Sequence, residues 1–240
     1  MTNLDNIHAE KKVINWEALL GTWYLHFQNY IKYYPYFEKL INFINNQYND
    51  KNKIIFPAKN NIFRAFKETN YSNVKVVIIG QDPYADGRAN GFCFANSVLE
   101  EKYSPPLLKI EDCLKLSYND GTMFWLDYNL KKWANQGILL LNSALTVEKD
   151  KSGSHLIYWD FFTKTLLTIL NDNKTGVIFC FWGSAAKKYI PLINEKRHYI
   201  LECEHPSLAV REARDWKCNH FTEINKILEK NNGTRECINW

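Results

Sequence analysis

The stretch that most constrains the fold is VKVVIIGQDPYADGRANGFCF, residues 74–94. It begins with a nearly continuous run of β-branched residues, which predicts a strand buried on both faces of a parallel sheet. Gly80 ends the run, and Gln81, Asp82 and Tyr84 follow it directly. Open α/β sheets bind ligands beyond the carboxyl ends of their strands, so this loop is a candidate functional site. The alternative is a core strand followed by an ordinary Asp-Pro turn.

Three further apolar runs, at residues 138–141, 177–181 and 199–201, predict three more strands. Helical patterns separate them, most clearly at residues 155–170. This alternation predicts a single α/β domain, in which a central parallel four-stranded sheet is flanked by helices on both faces.

The chain before the first strand has the spacing of amphipathic helices. One pattern runs from Trp16 to Phe27, and a second covers residues 36–48. We expect residues 1–34 to form an N-terminal helical extension packed on the body, and residues 35–240 to form the α/β domain. A chain of 240 residues is long enough for one such core.

Polar sequences follow all four predicted strands: GQDPY, NSALTV, WGSAAKK and EHPSLAV. Because the carboxyl ends of parallel strands meet at one edge of the sheet, Asp82, Asn142, Ser184 and His205 should lie near one another. Taken singly, each has a plain structural explanation, since Asn142 could be a cap and His205 could be a turn residue. The set and its order indicate a site.

Composition and charge restrict the setting. The formal charge of +4, with a pI near 8.6, permits a polyanionic partner without requiring one. Six cysteines form no CxxC pair, and no cleavable hydrophobic leader is visible, which favours a reducing, intracellular location. No apolar stretch approaches the ~20 residues that span a bilayer. We therefore expect a soluble protein that does not bind membranes.

Seven motifs together resemble the family 1 uracil-DNA glycosylases, in the order of that family. They are GQDPY (80–84), GFCF (91–94), GILLLNSALTV (137–147), WGSAAKK (182–188), HPS (205–207), CNHF (218–221) and INW (238–240). The resemblance covers roughly residues 35–240. It implies a DNA-repair hydrolase that excises uracil without metal or other cofactor.

The resemblance also assigns roles to individual residues. Asp82 matches the carboxylate that positions water and stabilises a cationic sugar, and His205 matches the imidazole that hydrogen-bonds uracil O2. Asn142 matches the amide that reads the uracil edge, and Phe94 the ring that stacks on the base. Tyr84 matches the ring that excludes the methyl group of thymine. Gln81, from the same motif, is also expected to bind uracil.

The partner implied is uracil-containing DNA, single- or double-stranded, from which the base must be flipped out; glycosylases are a standard example of base flipping. Several residues match the family's loops that bind the DNA backbone, or could add positive charge or a wedge there. They are Pro105, Pro106, Ser184, Ser207, Leu208 and Arg211. We expect a monomer, located in the cytoplasm of a prokaryote or a virus-infected cell, or in the nucleus of a eukaryote.

The chain departs from the family pattern at two places. Ala85 follows GQDPY, where the family usually has histidine, and the loop after it is one residue shorter. The sequence HPSLAV replaces the usual HPSPLS, so that an ungapped match puts Ala209 at the position of the leucine that wedges into DNA. Leu208 lies one residue earlier and is the alternative wedge.

Two other classes of function stay open at this point. One is a DNA-binding or processivity protein that uses a glycosylase scaffold without catalysis, although such a protein would have no need of Asp82. The other is a zinc protein, because Cys203, His205, Cys218 and His220 could supply four ligands. Their spacing is unlike the usual CxxC knuckle, and zinc would occupy His205.

Overall fold

The computed structural model describes residues 14–97, 103–118 and 126–240. The first 13 residues of the expected N-terminal extension lie outside these ranges. Among the described residues, no helix has both the length and the apolar character needed to cross a membrane.

Helices precede, separate and follow the strands. In chain order they are α1 (Trp16–Leu20), α2 (Tyr24–Tyr33), α3 (Tyr36–Asn49), α4 (Arg64–Glu68), α5 (Pro105–Ser117), α6 (Lys131–Asn135), α7 (Leu156–Asn173), α8 (Ser184–Lys187), α9 (Pro206–Arg211) and α10 (His220–Asn232). Short 3-10 turns occur at Gly21–Trp23, Lys59–Asn61, Tyr71–Asn73, Ile190–Leu192 and Thr234–Glu236.

The strands form one parallel sheet and one small antiparallel pair. They are β1 (Ile55–Phe56), β2 (Val76–Gly80), β3 (Ile138–Asn142), β4 (Val147–Glu148), β5 (Ile178–Trp182) and β6 (Tyr199–Cys203). The parallel sheet has the order β3-β2-β5-β6, and β1 pairs with β4. Every residue of β2, β3 and β5 is buried, so both faces of the sheet are covered, as the continuous apolar runs predict.

The register of the sheet places the strand ends side by side. Gly80 at the end of β2 pairs with Asn142 at the end of β3, and Trp182 at the end of β5 pairs with Cys203 at the end of β6. The segments that follow these strands therefore leave the sheet at the same edge. This edge carries the candidate site, as expected for the carboxyl ends of parallel strands.

The helices before residue 34 share their core with the rest of the chain. Phe27 of α2 stacks on Phe162 of α7 with ring centroids 5.2 Å apart, and Trp23 meets Phe66 edge-on at 5.3 Å. All four rings are fully buried. Such aromatic pairs contribute about 0.5–1.5 kcal/mol each beyond the burial of their surface. This packing agrees with an extension that lies on the body of the protein, whereas the boundary at residue 34 stays a prediction.

The observed boundaries differ from the predicted ones by small amounts. The predicted strands at residues 138–141 and 199–201 each extend further, to Asn142 and Cys203. The long amphipathic pattern near the start of the chain forms α1 and α2 with a 3-10 turn between them, because Gly21 has a φ of +55° and ends α1. The sequence patterns predict neither α5 nor α10.

Candidate active site

A cavity of about 460 Å³ opens at the carboxyl end of the sheet. Its walls include residues from the end of β3 and from the segments after β2, β4, β5 and β6. Of the predicted site residues, the cavity is lined by Gln81, Asp82, Tyr84, Phe94, Pro106, Asn142, Ser184, His205, Ser207, Leu208 and Arg211. The structure therefore brings together groups that are spread over 131 positions, from Gln81 to Arg211, whereas Pro105 lies outside the cavity wall.

The Asp82 carboxylate accepts hydrogen bonds on both oxygens. The backbone N–H of Gly153 donates to Oδ2 at 2.5 Å, and the Ser152 hydroxyl lies 3.0 Å from Oδ2 and 3.2 Å from Oδ1. Gln81 donates its side-chain N–H to Oδ1 at 3.2 Å. These donors hold an anion at the cavity wall in one orientation, because hydrogen bonds to a charged group are stronger than neutral ones.

Gln81 supports this carboxylate in a way that the sequence did not indicate. Its amide nitrogen also lies 3.2 Å from the Ser152 hydroxyl, so the side chain bridges Asp82 and Ser152. Its backbone carbonyl accepts hydrogen bonds from the Ser143 hydroxyl and the Ala144 N–H. The expected contact between Gln81 and uracil stays a prediction.

One wall of the cavity is formed by the Phe94 ring. Its centroid lies 5.1 Å from that of Trp182 and 5.5 Å from that of His205, with the rings tilted by 52° and 41°. Phe94 has a φ of +62°, a conformation that a bulky residue rarely adopts without support from its surroundings. The packing of the two neighbouring rings therefore fixes a flat apolar surface at the cavity.

Asn142 is the last residue of β3 and lines the same cavity with only 5% of its surface exposed. Within the described ranges, its amide has no hydrogen-bond partner. The neighbouring strand must approach closely here, because a Cβ at Gly80 would lie 2.6 Å from the Asn142 Oδ1. The amide therefore faces the cavity, where it can both donate to and accept from a ligand or water.

Tyr84 lies on another side of the cavity and is fixed by its hydroxyl. The hydroxyl accepts a hydrogen bond from Ser104 at 2.7 Å and donates to the Phe94 carbonyl at 3.2 Å. Burial raises the pKa of the Tyr84 phenol, so the group stays protonated near neutral pH. Two hydrogen bonds thus hold the hydroxyl end of this side chain, which favours a fixed orientation of the ring at the cavity wall.

His205 caps the start of α9 and faces the cavity. The Ser207 backbone N–H donates to His205 Nδ1 at 3.1 Å. Burial lowers the pKa of the imidazole below its ordinary value, which favours the neutral ring. Because Nδ1 accepts a hydrogen bond, the proton of the neutral ring belongs on Nε2. His205 can therefore donate one N–H to a ligand while uncharged.

The expected DNA-contact residues lie around this cavity. Ser184 begins α8 and Ser207 lies in the first turn of α9, while Pro105 and Pro106 form the first turn of α5 instead of an open loop. Proline is favoured at a helix start, because the first N–H groups have no partner within the helix. The starts of these three helices carry the expected contact residues, and Pro106, Ser184 and Ser207 line the cavity.

Nearby cations differ in how they are paired. Lys187 contacts Glu202 at 3.1 Å, Lys188 contacts Asp160 at 3.3 Å, and Arg214 contacts Glu204 through two N–H groups at 2.6 and 2.7 Å. Arg211 is exposed at the cavity, and no carboxylate within the described ranges pairs with it. Arg211 is therefore better suited than Arg214 to bind a phosphate.

The structure separates the two wedge alternatives. Ala209 is completely buried in α9, so its side chain does not reach the surface. Leu208 is partly exposed and lines the cavity. Burial at position 209 arises because α9 presents that face to the body of the protein, where a methyl group fits. Of the two, the geometry favours Leu208.

Cys203, Cys218 and His220 form a buried cluster whose ligand atoms lie within 4.8 Å of one another. His205 is not part of it. The Trp182 indole donates to His220 Nδ1 at 2.9 Å, so that nitrogen's lone pair is used and the neutral ring holds its proton on the other nitrogen. This arrangement favours a hydrogen-bonded core cluster over a zinc site.

Sequence reasoning missed three residues that hold or support groups of the site. Ser152 and Gly153 hold Asp82 from a polar loop with no periodic pattern, and Trp182 supports Phe94. Trp182 directly follows the predicted strand at residues 177–181 and ends the observed β5, so its position at the sheet edge could have been inferred from the same rule as that of Asn142. No sequence signal linked Ser152 to Asp82.

Comparison with known proteins gives consistent matches. The profile described as Uracil DNA glycosylase superfamily matches residues 66–229. The uracil-DNA glycosylase of Clostridioides difficile (strain 630) is 40% identical over 207 residues, which cover 85% of this chain and 89% of that protein. The uracil-DNA glycosylase of Francisella tularensis subsp. novicida (strain U112) is 43% identical over 200 residues, covering 82% and 89%.

Solved structures give the same result. The crystal structure of mimivirus uracil-DNA glycosylase superimposes with a TM-score of 0.80 at 27% identity, covering 91% of this chain and 87% of that chain. A second mimivirus UNG structure, in complex with UGI, has a TM-score of 0.83 at 28% identity and covers 95% and 91%. The fold and these matches define an α/β glycosylase. The chain belongs to the uracil DNA glycosylase superfamily.

Proposed function

We propose that the residues of the cavity described above remove uracil from DNA. The nucleotide is flipped out into the cavity, and its N-glycosidic bond is hydrolysed there. The protein is a uracil-DNA glycosylase of base excision repair, a monofunctional hydrolase that leaves an abasic site. One observation supports the residue assignment most strongly. A fixed carboxylate, an unpartnered amide, an aromatic wall and a neutral imidazole line one cavity.

The reaction separates charge, and the two sides of the cavity match that separation. When the bond between the sugar and the base breaks, positive charge develops on the sugar and negative charge on the base. We assign the Asp82 carboxylate to the sugar side, where it stabilises the cation and orients the attacking water. The electron pair of the broken bond leaves with the base, and water then adds its oxygen to the sugar carbon and passes a proton to the Asp82 carboxylate. Preorganised charge of this kind is commonly the largest contribution to catalysis.

We assign His205 to the base side. Its Nε2–H is the free donor of the neutral ring, and it would hydrogen-bond uracil O2 as negative charge grows there. Since burial favours the neutral ring, the donor is present at neutral pH without prior protonation. The Ser207 N–H keeps this tautomer in place.

The remaining groups select the base. The Phe94 ring supplies a stacking surface, and the Asn142 amide can both accept from N3–H and donate to O4. Tyr84, held by two hydrogen bonds at its hydroxyl, would clash with a methyl group at the 5-position of thymine. A site that hydrogen-bonds one edge discriminates strongly, because the wrong base leaves buried polar groups unpaired.

The rim residues are proposed to bind the DNA backbone. Ser184, Ser207 and Pro106 lie close to the cavity, and Arg211 supplies positive charge. Leu208 is proposed as the group that fills the gap left by the flipped nucleotide. Pro105 would act only by starting α5. We further propose that the protein acts as a monomer inside cells and needs no metal.

The direct test is base release from matched oligonucleotides that contain uracil or thymine at one position. We expect release of free uracil and an abasic site from single- or double-stranded DNA, in the presence of a metal chelator, and no release of thymine. A folded protein that binds the DNA and releases no uracil would instead support the non-catalytic alternative. Loss of activity with the chelator would contradict the metal-free mechanism.

A further inference from the structure

The hydroxyl of Ser152 is placed against the proposed catalytic carboxylate. It lies 3.0 Å from Asp82 Oδ2 and 3.2 Å from Oδ1, and it lines the cavity. A serine hydroxyl has one proton to donate and two lone pairs to accept with. Here the proton goes to the carboxylate, and Gln81 donates to one lone pair. One acceptor position of the hydroxyl is left.

The loop that carries Ser152 is fixed to the β2 loop. The Asp150 N–H donates to the Ala85 carbonyl at 2.9 Å, and the Gly153 N–H donates to Asp82. Within the loop, the Ser154 hydroxyl accepts from the Glu148 N–H at 3.0 Å. The backbone is therefore anchored on both sides of Ser152, so the position of its hydroxyl is determined by the fold.

The neighbouring wall gives Asp82 little other polar support. Ala85 lines the cavity next to Tyr84, and its side chain is a methyl group that makes no hydrogen bond. Asp82 is also directly followed by Pro83, which has no N–H to donate. Within the described ranges, the side chains that bind the carboxylate are those of Gln81 and Ser152. Ser152 is the only one of these two that contacts both oxygens.

We infer that Ser152 is a positioning residue for the hydrolysis, and this inference rests on the proposed function. Ser152 fixes the rotation of the Asp82 carboxylate and, with its remaining lone pair, accepts a hydrogen bond from the attacking water. Ser152 acts through Asp82 and the water and makes no contact that recognises the base. Its removal should therefore lower the rate of bond cleavage while leaving DNA affinity intact.

The test compares Ser152→Ala, Ser152→Thr and wild type in single-turnover cleavage and in binding to the same uracil oligonucleotide. Hydrogen bonds to charged groups are worth enough to predict a rate about 10–100-fold lower for the alanine variant. Affinity should change by less than about twofold, because the base and backbone contacts are untouched. The threonine variant keeps the hydroxyl at an exposed position and should recover most of the rate. The control is Ser72→Ala, which removes an exposed hydroxyl that donates to the Asn73 side chain, and it should match wild type.

The outcomes are distinguishable. Equal cleavage rates for Ser152→Ala and wild type overturn this inference alone. So does a parallel loss of rate and affinity that Ser152→Thr does not restore, since that pattern indicates a structural role. Thermal unfolding of each variant checks that the fold is kept. A wild-type protein that releases no uracil overturns the proposed function, and this inference with it.

Discussion

On one side of the cavity, Asp82 accepts hydrogen bonds from Ser152 and Gly153, which lie 70 and 71 positions further along the chain. On the other side, His205 is held by the N–H of Ser207, two positions away, and by close packing against Gly183. One group is fixed by contacts between distant loops and the other by the start of its own helix. The two sides should therefore respond differently to substitution.

The difference also explains which interactions a single sequence can reveal. A histidine followed by Pro-Ser at a helix start has a local pattern, and a local pattern can be interpreted from the sequence. Donors that reach an anion from a separate loop leave no such pattern. The carboxylate side thus depends on the whole fold, whereas the imidazole side depends mainly on α9 and its neighbour β5.

The largest effect is expected for Asp82→Asn, which removes the charge and keeps the shape. The variant should cleave at least about 10²–10³-fold more slowly, because it loses stabilisation that matters mainly in the transition state. Binding of the uracil oligonucleotide should stay close to wild type. Single-turnover rates and binding isotherms measure the two quantities separately.

The matched control is Asp172→Asn, a surface aspartate whose side chain contacts Asn171. It should leave both quantities unchanged. If Asp82→Asn turns over as fast as wild type, the assignment of the carboxylate fails.

On the imidazole side, Gly183→Ala tests the close approach between β5 and α9. Gly183 has a φ of +90°, and a Cβ there would lie 2.7 Å from the His205 Cβ, so the histidine must shift. Small displacements of a catalytic group can lower rates by about 10²-fold. We expect a loss of that order in cleavage rate.

Gly176→Ala separates this displacement from backbone strain. Gly176 has a φ of +71°, and a Cβ there would meet no atom within 4 Å. Both variants strain the backbone, and only one of them contacts His205. If both lower the cleavage rate equally, the packing of Gly183 does not position His205.

Particular residues show how much of the fold and of the site could be predicted from the sequence. The apolar runs predicted each strand of the parallel sheet, and the strand-end rule placed Asp82, Asn142 and His205 at one cavity. The start of α5 was missed because two prolines suggest a loop, although they fit the first turn of a helix. Ser152 could not be predicted, because its position depends on how two loops pack after the sheet has formed.

Tyr84→Ala tests the part of the cavity wall that is proposed to exclude the 5-methyl group of thymine. Removing the ring should open space for the 5-methyl group and admit thymine, which wild type rejects. A steric difference of about one methylene is worth about 10–200-fold, so the gain in thymine release should fall in that range. Uracil release should persist, since Asp82 and His205 are unchanged. If uracil release persists and no thymine is released, Tyr84 does not exclude the methyl group.

The smallest effect is expected in the pH dependence of the cleavage rate, which tests how His205 is held. Because burial lowers the pKa of His205, the ring is mainly neutral from about pH 6.5 upward, and its Nε2–H is present throughout that range. Wild-type single-turnover rates should therefore change by less than about twofold between about pH 6.5 and 8.5. At lower pH, Nδ1 takes up a proton and can no longer accept the Ser207 N–H, so the rate should fall. If the imidazolium were the active form, the rate would instead fall about tenfold per pH unit above its pKa, and the neutral-donor assignment would be wrong.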